Sequence, residues 1–208
     1  MSLAFEDVLG VRDAFQGLPM AGRTDSWILS DAAAVHGVAL EPELLDRFER
    51  AYLDRLRREI ETPGDSRKGV MPGVRELLDA LAPRTDVYLA LLTGNYEQAA
   101  RIKLEYFDLW RYFRCGAFGD QAPDRNGLLP RALATVVTCG GPAFAPADVV
   151  IVGDTPLDIE CAKFSRARSI GVATGLHSLE DLRAAGADVV FADLSDTETV
   201  LRALDVQT

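Results

Sequence analysis

The stretch from Asp148 to Asp158, DVVIVGDTPLD, limits the fold more than any other part of the chain. Its apolar run Val149–Val152, closed by Gly-Asp, reads as a strand buried on both faces, the pattern of a parallel sheet. In an open α/β sheet, ligands bind beyond the carboxyl ends of the strands, and Asp154 stands at such an end. Thr155 can cap a helix and Pro156 suits a first helical turn, so a helix is predicted to start there, with Asp158 one turn beyond Asp154. Two readings of this acid pair stay open. Carboxylates so close repel unless a cation or donor lies between them, which suits a divalent metal. An acid in a first turn also offsets the helix dipole without any ligand.

The remainder falls into two compositional regimes. Helical patterns come first. Ala4–Leu9 is ended by Gly10, and Gly17, Pro19 and Gly22 break the next stretch into a loop. Thr24 or Asp25 can cap a helix whose apolar Trp27, Ile28, Ala32 and Val35 recur at helical spacing before Gly37, with His36 at its end read as structural. A longer helix, Glu41–Ile60, sets Leu44, Leu45, Phe48, Tyr52, Leu53 and Leu56 against a charged, solvated face. The turn-forming stretch TPGDSRKG, residues 62–69, reads as a hinge.

Beyond it, helices and strands alternate. A helix is predicted from Pro72, an apolar strand in DVYLALLTGN ending at Thr93-Gly94-Asn95, and a helix from Tyr96 to Tyr106. A short strand Cys115–Phe118, a polar loop Asp120–Arg125 and a helix Leu128–Val137 follow. Two further strands, in ARSIGVATG and DVVFADL, come after the strand at 149–152. This alternation predicts an α/β fold, a Rossmann-like, mostly parallel sheet in a three-layer α/β/α arrangement. The expected division is an all-helical unit over residues 1–66 and an α/β unit over 67–208.

Composition narrows the partners. A chain of 208 residues can bury one core and a modest second unit, and a net charge of -10 argues against nucleic acid or an anionic membrane surface as partner. A small anionic ligand would need a local basic pocket. Cys115, Cys139 and Cys161 follow no metal-ligand spacing, and their odd number argues against a disulfide framework, so a reducing cytoplasm is expected. The opening MSLAFEDV lacks the basic and apolar regions of a secretion signal, and no apolar run would span a bilayer.

Three strand-end loops thus carry polar groups: Thr93–Asn95, Asp120–Arg125 and Asp154–Asp158. In order and spacing they resemble the haloacid dehalogenase-like hydrolases, in particular phosphoglycolate phosphatase-like members with an inserted helical cap. The resemblance spans essentially the whole chain and implies a Mg²⁺-dependent phosphatase acting on a small phosphorylated metabolite. It makes Thr93 the hydroxyl that binds the transferred phosphoryl group with Gly94 and Asn95 beside it, and Arg125 the cation that neutralises phosphate. Lys103 competes for that role. Asp154 and Asp158 match the motif that holds or orients Mg²⁺, with Asp154 the direct ligand and Asp158 nearby or in an outer shell. Gly22, Arg23 and Thr24 match a cap loop over the active site, with Arg23 the expected substrate contact.

One part of the family pattern is missing. A strand ending in Asp-x-Asp, the source of the aspartate nucleophile and of the general acid and base, should precede the cap, and no Asp-x-Asp occurs in the chain. Neither DLSDT, Asp193–Thr197, nor the terminal LDVQT replaces it. The missing strand would lie at the centre of the sheet. Either a longer polypeptide or another segment fills its place, or the flanking strands close up and pair, leaving a binding or scaffold protein without catalysis.

Overall fold

The computed structural model describes residues 1–62, 68–122 and 124–205. The hinge expected at 62–69 falls largely on residues 63–67, outside those described, and with it the boundary between 66 and 67.

The N-terminal helices are α1 (Ser2–Leu9), α2 (Asp25–Val35) and α3 (Pro42–Glu61). Gly10 ends α1 in the left-handed conformation, φ 71°, which lacks a steric cost only for glycine. Thr24 caps α2, its side chain accepting from the Trp27 N–H at 3.1 Å. Phe5, Phe15, Ile28, Leu29 and Phe48 fill the core between these helices, with Phe5 in edge contact with Phe15 and Phe48. That core does not stop at the helical unit. Tyr96 and Ala99, at the start of α5 (Glu97–Tyr106), belong to the same buried cluster, so the three helices rest on an element of the α/β part.

The expected α/β alternation is present as α4 (Val74–Leu81), β1 (Leu91–Leu92), α5, β2 (Gly116–Ala117), α6 (Leu128–Thr138), β3 (Val150–Gly153), α7 (Pro156–Ser165), β4 (Arg168–Val172), α8 (Leu179–Ala184), β5 (Val189–Phe191) and α9 (Thr197–Ala203). Every strand pair is parallel. Helix α4 begins later than Pro72 because Gly73, φ 78°, lies against the Leu194 backbone, and a Cβ there would stand 1.9 Å from the Leu194 carbonyl carbon.

The largest difference from expectation lies in the first strand. The apolar run from Asp86 forms ladder structure only at Leu91–Leu92, paired with Gly116–Ala117. The five strands make two ladders, β1-β2 and β3-β4-β5, and among the described residues none joins β1 to β3. A strand is held by its neighbours' hydrogen bonds, and β1 has them from β2 alone. Side chains connect the halves instead. Leu92 packs into the cluster of Ala117, Leu128, Ile151 and Cys161, whereas Val87 and Leu89 pack with Ile170, Val172 and Val200. Among the described residues no helix is long and apolar enough to cross a membrane.

Candidate active site

The carboxyl ends of β1 and β3 and the loop Gly22–Asp25 meet around a cavity of about 500 Å³. On the β1 side, Thr93 Oγ1 accepts the Asn95 N–H at 3.2 Å, a tight turn that holds the hydroxyl at the strand tip. The α2 start docks on this turn. The Asp25 N–H donates to the Gly94 carbonyl at 2.6 Å, and Asp25 Oδ2 accepts the Tyr96 N–H at 3.0 Å. Gly94 has to be glycine for this approach, since a Cβ would lie 2.3 Å from the Arg23 carbonyl oxygen. Ser26 completes the attachment, its hydroxyl donating to the Gly119 carbonyl at 2.7 Å.

On the β3 side, Thr155 and Asp158 form a capping box at the start of α7. Asp158 Oδ2 accepts from the Thr155 N–H at 3.0 Å and from the Thr155 hydroxyl at 2.8 Å. Its other oxygen accepts from Arg125 Nη2, and Arg125 Nη1 donates to the Gly22 carbonyl at 3.0 Å. Arg125 Nε is buried without a hydrogen-bond partner. Asp158 is only 2% exposed.

The structure brings Arg23, Thr93, Gly94, Asn95, Arg125 and Asp154 to the cavity wall and leaves Asp158 behind it. Of the two open readings of the acid pair, Asp158 takes the helix-capping one, with an ion pair added. Arg23 is held by Asp31 at 2.5 Å and lies over the Trp27 ring, 4.2 Å from its centroid. The wall also includes Asp25, which the sequence offers only as a possible cap, and Thr155, which it offers only as the start of α7. The polar cluster Arg23-Thr24-Asp25 just after Gly22 was the available signal.

Among the described residues Asp154 is the one carboxylate presented to the cavity on the β3 side. Burial, reinforced by the neighbouring Asp158, pushes its pKa up, with Arg125 pulling the other way. Its place is kept open by Gly175, where a Cβ would come 2.1 Å from Asp154 Oδ2. A carboxylate destabilised in its charged form and fitted into such a cradle suits a hard cation. The donor set is thin, because among the described residues no group of three or more His, Cys, Asp or Glu could hold a metal. It fits an ion that takes one protein carboxylate and completes its shell with waters and ligand phosphate oxygens, which is how Mg²⁺ is usually bound.

Comparison with known proteins agrees with this architecture. A family model described as HAD-hydrolase-like matches residues 125–197. A protein of Dickeya dadantii named "Probable phosphatase IndB" is 29% identical over 206 residues, 98% of this chain and 82% of its own length. Phosphoglycolate phosphatase 1 of Pseudomonas aeruginosa is 31% identical over 127 residues, 61% of this chain, and the match spans only 45% of that relative. Among solved structures, a hydrolase from Pseudomonas syringae superposes with a TM-score of 0.63 at 20% identity, covering 98% of this chain and 90% of its own. CbbY from Rhodobacter sphaeroides, solved with phosphate, gives 0.63 at 19% identity, covering 92% and 78%. At these identities the structural matches speak for the fold.

Proposed function

Because the chain belongs to the haloacid dehalogenase-like hydrolases and has phosphoglycolate phosphatases among its relatives, we propose that it forms the phosphoryl-binding and metal-binding part of a Mg²⁺-dependent phosphatase for a small phosphomonoester. The carrying observation is the convergence of Thr93, Arg125 and Asp154, from three separate loops, on one cavity. Thr93 Oγ1 already accepts from the Asn95 N–H, so its proton is free to be donated to a phosphoryl oxygen. Arg125, fixed on both sides, holds its charge in place without reorganising as ligand enters. Asp154 would hold Mg²⁺, and the ion when bound supplies further neutralisation of phosphoryl charge. Residues 1–66 act as a cap that excludes water and selects small substrates, with Arg23 facing the substrate. The three free cysteines suit a reducing compartment such as the cytoplasm.

A second reading, in which the same loops bind phosphate without hydrolysing it, holds if the polypeptide supplies no aspartate nucleophile, since no Asp-x-Asp occurs among these 208 residues. Calorimetry with inorganic phosphate and Mg²⁺, run beside phosphate release from a panel of phosphomonoesters, separates them. Binding with release supports the enzyme, and binding without release supports the binding protein. No phosphate binding defeats both.

A further inference from the structure

Three basic side chains line the cavity among the described residues: Arg23, Lys103 and Arg125. Their partners differ in kind. Arg23 donates to the carboxylate of Asp31. Arg125 is committed to the Asp158 carboxylate and the Gly22 carbonyl. Lys103, reaching in from α5, donates through Nζ to Asn95 Oδ1, a neutral amide. Asp25 attracts it from a distance but forms no ion pair with it. Burial lowers the pKa of Lys103 and raises that of Asp25, so neither charge is well compensated where it sits.

An ammonium group has three donors and one is engaged here, which leaves the charge and the other donors for a ligand. The engaged partner is part of the Thr93–Asn95 turn itself, so Nζ stands beside the place where the phosphoryl group is proposed to bind. Resting on that phosphatase reading, we infer that Lys103 is the cation that contacts the anionic oxygens of the phosphoryl group at the Thr93–Asn95 turn. Arg125 then adds a fixed charge at the cavity wall without moving onto the ligand. Its guanidinium ties the Gly22 loop to the α7 capping box, and moving it onto a ligand would strip Asp158 of its buried counter-charge.

The test is calorimetric titration of the full chain with inorganic phosphate and, separately, with phosphonoacetate, comparing the unaltered protein with Lys103→Met and Lys103→Arg. Removing a charge-assisted hydrogen bond should weaken phosphate and phosphonoacetate alike by roughly tenfold or more, and Lys103→Arg should recover most of the loss. Phosphate affinity unchanged in Lys103→Met overturns the assignment alone. Loss of phosphonoacetate with phosphate retained also overturns it, in favour of Lys103 reading a substrate carboxylate. No phosphate binding by the unaltered protein overturns the phosphatase reading and the assignment together. A second measurement needs no variant. Reductive methylation followed by mass spectrometry should show phosphate protecting Lys103 but not Lys68 or Lys163, the other two lysines. Equal modification of Lys103 with and without phosphate counts against its contact with the anion.

Discussion

Arg125 and Asp158, 33 residues apart, form an ion pair in which the guanidinium is 13% exposed and the carboxylate 2% exposed. The pair joins the loop before α6 to the start of α7 and, through the Gly22 carbonyl, to the cap loop. Removing one member strands the other without compensation. Arg125→Met and Asp158→Asn should each lower unfolding free energy by about 3–5 kcal/mol, and the double variant should cost clearly less than their sum. Urea denaturation of the four proteins measures the coupling, and strict additivity would show that the pair contributes nothing as a pair.

Gly22 and Gly10 offer a matched comparison. Both are left-handed, φ 75° and 71°, but a Cβ on Gly10 meets nothing within 4 Å, whereas on Gly22 it would lie 2.5 Å from Thr155 Oγ1 and 3.1 Å from Leu157. Gly10→Ala should therefore cost only the backbone strain, about 1 kcal/mol, and Gly22→Ala at least about 1 kcal/mol more. Equal losses in thermal melts would mean that the cap loop does not rest on Thr155.

Asp25 makes stability depend on pH in an unusual direction for an acid. Burial raises its pKa, with the Tyr96 N–H and Lys103 opposing. The native carboxyl thus holds its proton more tightly than the unfolded one. Its contribution to stability is complete below the ordinary value of 3.8 and is lost as pH rises through the higher native value. Asp25→Asn, whose amide oxygen can still accept the Tyr96 N–H, should melt higher than the unaltered protein at pH 7, with the advantage gone below about pH 3.8. Melting curves across that range that stay parallel would contradict the burial argument.

The cysteines should separate by reactivity. Cys139 is exposed and Cys115 half-buried, whereas Cys161 is fully buried, donates to the Arg125 carbonyl at 3.1 Å and has its pKa pushed up to about 11 by burial. A disulfide reagent should titrate Cys139 first, Cys115 more slowly and Cys161 only on unfolding. Early reaction at Cys161 would indicate that α7 opens in the native state.

Local features of the sequence carried most of the fold. Thr24 caps α2 through its hydroxyl, Thr155 takes the N-cap position of α7 with its hydroxyl donating to Asp158, and the apolar run ending at Gly153 is a strand with acids at its tip. The length of β1 was not legible, because its apolar pattern reports burial whereas ladder formation depends on a neighbour far along the chain. Asp158 was legible only as one of two alternatives. Two acids at this spacing look alike in sequence, and only the arrival of Arg125 from another loop decides that one caps a helix while the other faces the cavity. Lys103, one of two candidate cations in the sequence, is brought to Asn95 at the cavity wall by the folding of α5 against the Thr93–Asn95 turn.

The division of the sheet has a mechanical consequence. Thr93 follows the end of one ladder and Asp154 the end of the other, and among the described residues apolar packing, with the Gly22 loop, links them. Hydrogen bonds fix spacing and angle, but apolar contacts favour burial without preferring a direction. What spans the two tips is therefore the hydrogen-bonded Gly22–Asp25 loop, tied to Gly94 and Tyr96 on one side and through Arg125 to Asp158 on the other. Lengthening that loop should change the separation of Thr93 and Asp154 while leaving both ladders intact.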